Sequence, residues 1–244
     1  MRKASLLPSP SPRILNVQSE WLFRPSGYVA GDIFNVFALD DHHVGFYLLD
    51  VSGHGVPAAM LSVSLSRVLN PESSHSSPLK RYNAATGTFE IAPPAHVVSE
   101  LNQRFQSKDD QYFTMIYGLL DTRTGQLGLT QAGHPSPILL RRGEDPRVLG
   151  DGGGLVGLWK GMEYETLHEQ MNPGDRLVLY SDGITECADA GGVHFGEERL
   201  LDHLRAQAQE PLARITAGLE WAMETWRGGS EFADDVSLLT LQFD

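Results

Sequence analysis

The sequence has almost no cysteine and no cluster of zinc ligands. Cys187 is the single cysteine among 244 residues, so no disulfide can form within the chain. Cys and His residues do not occur at zinc-finger spacings, which excludes a structural zinc site of that kind. Because disulfides accumulate in oxidising compartments, we expect a reducing, cytoplasmic location.

Positive charge and long apolar runs are also scarce. Lys and Arg total 19 against 31 Asp and Glu, and the formal net charge of −12 repels nucleic-acid backbones and anionic membrane surfaces. No apolar stretch approaches the roughly 20 residues of a membrane-spanning helix. The opening "MRKASLLPSPSP" has prolines where a signal peptide needs an unbroken apolar segment. We therefore expect neither nucleic acid nor a membrane as a partner.

The apolar content is sufficient for one large domain. Hydrophobic residues make up 41% of the chain, which at this length supports a substantial core. Residues 1–18 are rich in Pro and Ser and are predicted to be a linker, leaving 19–244 as the domain. β-rich runs at 28–39 and 43–50 predict a hairpin. With further strand patterns and amphipathic helices early and late in the chain, they predict an α+β fold of antiparallel sheets covered by helices.

Aspartates stand at the ends of several predicted strands. Asp32 opens one strand of the hairpin and Asp50 closes the next; Asp182 follows "LVLY", and Asp234 and Asp235 precede the last strand. Strand starts and finishes alternate along one edge of an antiparallel sheet, so these carboxylates can converge there. One such aspartate is usually a turn former or helix cap. Their recurrence beside strongly apolar runs favours a shared site.

Carboxylates gathered at one edge require cations. Without cations they repel one another and their pKa values rise. Oxygen ligands favour Mg²⁺ or Mn²⁺ over zinc or copper. Two ions that share a central aspartate would hold a hydroxide suited to attack on phosphorus. Asp50 is the candidate for this shared ligand, and the carbonyl of Val51 can add an oxygen.

The segment that follows Asp50 suits a turn beside such a site. Gly53 and Gly55 allow the chain to bend sharply without a Cβ, and Pro57 is tolerated in the first turn of a helix. His54 is a candidate proton donor to a leaving serine, and a structural role for it stays equally open.

Six motifs, taken together, resemble those of a known family. The chain is similar in their order and spacing to the bacterial SpoIIE/RsbU branch of the metal-dependent PPM serine/threonine phosphatases, through "AGD" at 30–32, "LLDVSGHGVPAAML" at 48–61, "QAGHPSPILL" at 131–140, "LVLYSDGITE" at 177–186, "FGEERL" at 195–200 and "DDVSLLTL" at 234–241. The resemblance covers roughly residues 20–243. Ala30 replaces one of two usual glycines, and Val51 stands where glycine is common.

The resemblance implies a fold and a ligand set. The fold is a PPM-type β-sandwich of two antiparallel sheets flanked by helices, with a binuclear Mn²⁺ or Mg²⁺ centre at one edge. Carried over position by position, Asp50 and Asp182 are the catalytic residues. The metal ligands are Asp32, Asp50, the Val51 carbonyl, Asp182 and Asp234. Asp235 is the alternative to Asp234 if the register differs by one residue.

The resemblance also implies a reaction and partners. The reaction is hydrolysis of phosphoserine or phosphothreonine on a regulatory protein, commonly an anti-anti-sigma factor of a partner-switching pathway. A noncatalytic partner-switching module and a hydrolase of small phosphoesters stay open as alternatives. The Pro/Ser-rich start resembles the end of a linker to a receiver or sensor domain. A homodimer stays open, although no heptad pattern supports it.

Other conspicuous residues favour structural roles. Cys187 lacks the following Arg-bearing loop that a cysteine phosphatase needs. "GGGLVG" at 152–157 is followed by no helical period and predicts a turn rather than a nucleotide loop. We expect His134 to pack in a turn and Glu186 to cap or support the site. Residues 70–94 have no period and are predicted to be a long surface excursion.

Overall fold

A computed structural model describes residues 13–27, 30–53, 55–72, 77–106, 111–229 and 231–244. Its helices are α1 (Val56–Val68), α2 (Pro94–Arg104), α3 (Asp182–Thr185), α4 (Gly196–Gln207) and α5 (Leu212–Arg227). Its strands are β1 (Arg13–Ile14), β2 (Val17–Arg24), β3 (Ile33–Ala38), β4 (His43–Val51), β5 (Lys80–Asn83), β6 (Thr88–Ile91), β7 (Phe113–Asp121), β8 (Gln126–Ala132), β9 (Ile138–Leu140), β10 (Arg147–Val148), β11 (Leu167–Gln170), β12 (Arg176–Tyr180) and β13 (Val236–Phe243).

Most of the strands belong to two antiparallel sheets. Within the described residues, one sheet has the order β1-β2-β13-β12-β9-β10 and the other the order β11-β8-β7-β4-β3. The predicted hairpin is present as β3 and β4, with Ile33 opposite Leu49. The predicted α+β class with two antiparallel sheets and flanking helices is confirmed.

The central strands are buried on both faces. Phe46 and Leu48 of β4 pack with Leu179 of β12 between the two sheets. Tyr47 and Leu49 point the other way, into a second apolar layer formed with α1 and α2. A third layer joins β12 and β13 to α4 and α5. Burial on both faces explains why these strands read as continuous apolar runs instead of alternating patterns.

Residues 70–94 differ from the expected surface excursion. They include the hairpin formed by β5 and β6, while residues 73–76 lie outside the described part. Leu79 and Ala92, which flank the two ends of the β5–β6 hairpin, are buried in the apolar layer formed with α1 and α2. Tyr82 and Phe89 are exposed and their rings are 5.5 Å apart. The strands of this hairpin have only four residues each and most of their side chains are exposed, so they carry too short a pattern for sequence periodicity to detect.

The boundary of the expected linker also differs. Residues 13–18 contain β1 and the start of β2, and β2 pairs along its whole length with β13. These residues therefore belong to the six-stranded sheet, and residues 1–12 lie outside the described part. None of the helices in the described part is both long and apolar enough to cross a membrane.

Candidate metal centre

Asp32 and Asp50 are held side by side by the β3–β4 hairpin. The register that places Ile33 opposite Leu49 also places Asp32, just before β3, beside Asp50 near the end of β4. Asp32 is buried with 2% of its surface exposed, while Asp50 is half-buried. The hairpin geometry thus brings together two carboxylates that are 18 residues apart in the sequence.

Asp182 and Asp234 reach the same end of the molecule from the other sheet. β12 ends at Tyr180 opposite Leu238 of β13. Asp182 follows that end as the first residue of α3, and Asp234 lies just before β13 begins. The charges of Asp182 and Asp234 both act on Asp50, so the end of the sandwich gathers carboxylates from both sheets.

Asp235 links the two sheets through its carboxylate. One carboxylate oxygen accepts hydrogen bonds from the backbone N–H of Ser26 at 2.8 Å and from its hydroxyl at 3.0 Å. The other accepts from the backbone N–H of Gly31 at 2.6 Å and of Asp32 at 3.3 Å. Asp235 is buried and Asp234 is exposed. The two adjacent acids therefore differ, because backbone donors occupy both oxygens of Asp235.

Gly31 leaves room for two converging oxygens. A Cβ at this position would lie 2.8 Å from Oδ1 of Asp50 and 3.0 Å from the carbonyl oxygen of Val51. Both distances are too short for any larger residue without displacement of those oxygens. The glycine of "AGD" thus opens a cradle in which the Asp50 carboxylate and the Val51 carbonyl lie close together.

The carboxylates shift one another's titration. Burial, reinforced by the charges of Asp182 and Asp234, raises the pKa of Asp50 to about 7. Burial is also the main cause that raises the pKa of Asp32, with the charge of Asp50 second. The pKa of Asp182 is raised by burial and then by the charge of Asp234. Negative charge at this end of the molecule is therefore in excess of what nearby donors stabilise.

The loop after β4 has the predicted sharp turn. Gly53 and Gly55 have φ values of 84° and 81°, a region that only glycine adopts easily. The hydroxyl oxygen of Ser52 accepts a hydrogen bond from the backbone N–H of Tyr112 at 3.0 Å, which anchors the start of the loop. Pro57 lies in the first turn of α1. His54 lies outside the described residues, so its proposed proton transfer stays a prediction.

The donor set fits hard divalent cations. Oδ2 of Asp32 is buried and has no hydrogen-bond partner among the described residues, and Asp50 and Val51 present oxygens to the same cradle. In the described part of the chain, no three His, Cys, Asp or Glu side chains are grouped so that they could hold a metal ion. Uncompensated carboxylates repel one another, and a cation is required to draw them into one coordination sphere.

The other residues that the sequence analysis singled out have surroundings that suit structural roles. His134 is buried, its Nδ1 lies 2.8 Å from the Thr114 hydroxyl, and burial lowers its pKa to about 3, so its ring is neutral. Cys187 is buried. Glu186 is exposed at the end of α3, and its charge acts on Asp182. No helix follows the glycines at 152–157, as predicted.

Comparison with known proteins places this architecture in a family. The protein-family model described as stage II sporulation protein E (SpoIIE) matches residues 40–244 of this chain. The phosphoserine phosphatase RsbP of Bacillus subtilis is 24% identical over 221 residues, which cover 90% of this chain and 50% of RsbP. The chain thus spans about half the length of this curated relative.

Solved structures agree on the fold. The SiaA-PP2C domain of Pseudomonas aeruginosa superimposes with a TM-score of 0.77 at 22% identity, over 93% of this chain and 86% of that domain. RsbX in complex with magnesium has a TM-score of 0.65 at 14% identity, over 96% of this chain and 98% of RsbX. The family match over most of the chain and this shared fold show that the chain belongs to the SpoIIE family and has a PPM-type phosphatase fold.

Proposed function

We propose that this chain is a metal-dependent serine/threonine protein phosphatase. The observation that carries the proposal is that carboxylates from both sheets lie near enough to Asp50, at one end of the sandwich, for their charges to act on it. The family supports it, since RsbP is named a phosphoserine phosphatase. Asp50 and Asp182 are the proposed catalytic residues.

Each proposed ligand has a separate part in holding Mn²⁺ or Mg²⁺. Asp50 lies centrally, because Asp32 is beside it on the hairpin and Asp182 and Asp234 act on it from the other sheet. The Val51 carbonyl adds a neutral oxygen next to Asp50. A bound pair of ions supplies activation of water and stabilisation of phosphoryl oxygens. Asp235 keeps Asp32 in place through the backbone and is not itself a proposed ligand.

The proposed substrate is a phosphorylated regulatory protein. An anti-anti-sigma factor of a partner-switching pathway is the candidate, on the strength of the resemblance to the SpoIIE/RsbU branch. RsbX was solved with magnesium, which supports Mg²⁺ beside Mn²⁺ as the ion. A receiver or sensor domain upstream is consistent with a chain that spans only half of RsbP.

Phosphate release from a phosphoserine protein tests the proposal. We expect turnover that requires added Mn²⁺ or Mg²⁺ and that is abolished in Asp50→Asn and Asp182→Asn. Asp145→Asn is the matched control, since Asp145 is exposed and follows β9 at the opposite end of the sandwich. Mutants with wild-type turnover would refute the proposal. Faster turnover of free phosphoserine than of the protein would indicate a small-phosphoester hydrolase. Binding of the phosphoprotein without any turnover would indicate a noncatalytic module.

A further inference from the structure

A groove leads away from the candidate metal centre along the end of α5. It consists of two cavities of about 390 and 500 Å³ that share Arg227, Glu231 and Phe232 in their walls. The first cavity also reaches Asp234 and Gly183, which follows Asp182. The second is bordered by residues 25–27, the segment that Asp235 holds through Ser26. One end of the groove therefore opens at the proposed metal ligands.

The charged side chains in the groove wall are mainly acidic. Besides Asp234, the first cavity is lined by Glu186, Asp189 and Glu231. Arg227 is the only lysine or arginine among the described residues that line either cavity. A phosphoserine carries a charge of about −1.5 to −2 at neutral pH. Such a group meets repulsion along this wall except at Arg227.

Stacking holds the guanidinium of Arg227 in the groove wall. Its central carbon lies 4.1 Å from the centre of the Phe232 ring, a cation–π contact that orients the planar group. The N–H donors of a guanidinium lie in its plane and match the oxygens of a phosphoryl group. The charge of Arg227 also acts on Cys187, another wall residue, where it opposes the rise that burial causes in the thiol pKa. Its field therefore extends into the first cavity.

We propose that Arg227 binds the phosphoryl group of the substrate, and inorganic phosphate after hydrolysis, at the mouth of this groove. The inference rests on the proposed phosphatase function and adds a substrate-binding residue to it. Arg227 would offset the acidic wall and guide the phosphoryl group toward Asp182 and Asp234.

Arg199 provides a matched control. Its guanidinium carbon lies 4.0 Å from the Trp226 ring centre, and it donates a hydrogen bond to the Phe195 carbonyl at 2.8 Å. Arg199 lines neither of the two cavities. Arg199→Gln therefore removes a similar stacked cation from the same region without altering the groove.

The test compares Arg227→Gln, Arg227→Lys and Arg199→Gln with the wild type. Steady-state kinetics on a phosphoserine peptide give KM and kcat, and calorimetry gives the Kd of inorganic phosphate for the Mn²⁺-loaded protein. We expect Arg227→Gln to raise both KM and the phosphate Kd by about tenfold. Arg227→Lys should be intermediate, because lysine keeps the charge without the planar pair of donors. Arg199→Gln should retain wild-type values.

Different outcomes would overturn this inference and the proposed function. Wild-type phosphate affinity in Arg227→Gln, with the fold intact by circular dichroism, would overturn the inference. If Arg227→Gln does not fold, wild-type KM and phosphate Kd in Arg227→Lys would overturn it equally. If the wild type releases no phosphate from any phosphopeptide, the proposed function fails. The role of Arg227 is then decided by calorimetry, which requires no turnover.

Discussion

Substitution of the adjacent acids Asp234 and Asp235 is expected to affect different properties, metal binding for Asp234 and stability for Asp235. Asp235 accepts four hydrogen bonds from Ser26, Gly31 and Asp32. Each carboxylate oxygen of Asp235 accepts two of these bonds. In Asp235→Asn the amide oxygen can still accept two of them, but the NH₂ group that replaces the other oxygen then faces the remaining two donors. Hydrogen bonds to a charged group contribute about 1.5–3 kcal/mol each. We therefore predict a loss of about 3–5 kcal/mol in the free energy of unfolding.

That loss is large enough to measure by urea unfolding. For a chain of this size, roughly 2–4 °C of Tm accompanies each kcal/mol, so the same loss lowers Tm by roughly 6–20 °C. Unfolding followed by circular dichroism should show a lower urea midpoint with an unchanged slope. Protein without added metal is used, so that stability is separated from metal binding.

Asp234→Asn is the matched control for Asp235→Asn. Asp234 is exposed, so its substitution should change the free energy of unfolding by only about 0.5 kcal/mol. As a proposed ligand, however, Asp234 should be needed for Mn²⁺ binding, with at least about tenfold weaker affinity in the mutant. Equal destabilisation of the two mutants would refute the distinction between them. So would an Asp235→Asn protein as stable as the wild type.

Two further predictions concern the cradle and its charge. Gly31→Ala should weaken Mn²⁺ binding by roughly 10–100-fold, because its Cβ would lie within 3.0 Å of the Asp50 and Val51 oxygens. Gly27→Ala is the control and should bind Mn²⁺ like the wild type, because a Cβ at Gly27 has open space around it. Equal Mn²⁺ affinities of the wild type and both mutants in calorimetry would contradict the proposal that the cradle at Gly31 holds the ion. Because the folded-state pKa of Asp50 is raised from 3.8 to about 7, the folded protein binds this proton more tightly than the unfolded chain, and stability from this group increases as the pH falls from about 7 toward 4. In EDTA, the Tm of the wild type relative to that of Asp50→Asn should therefore be higher at pH 5.5 than at pH 7.5, and an identical pH dependence in the two proteins would argue against the raised pKa.

Much of the architecture was predictable because it depends on local patterns. The apolar runs that end at Asp50 and before Asp182 correspond to β4 and β12, which are buried on both faces. Gly53 and Gly55 adopt positive φ values that their residue type permits. These features depend on neighbours in the sequence, so that periodicity and turn chemistry reveal them.

Other features depend on contacts between distant segments. β2 lies in the six-stranded sheet because β13 pairs with it, although the composition of residues 1–18 indicates a linker. The β5–β6 hairpin is held at Leu79 and Ala92 by α1 and α2. No local pattern identifies Arg227 as a groove residue, because the groove forms only where the end of α5 meets residues 25–27 and 231–234.

The sequence alone indicated the antiparallel fold and the candidate aspartates, because apolar runs that end in acids are readable residue by residue, and its six motifs carried the resemblance to the family. The tertiary structure decided which of two identical neighbours is structural. Asp234 and Asp235 are the same residue type, and only the approach of Ser26, Gly31 and Asp32 supplies the four donors that occupy Asp235. Hydrogen-bond donors more than 200 residues away are assigned by folding and have no signature in the local sequence.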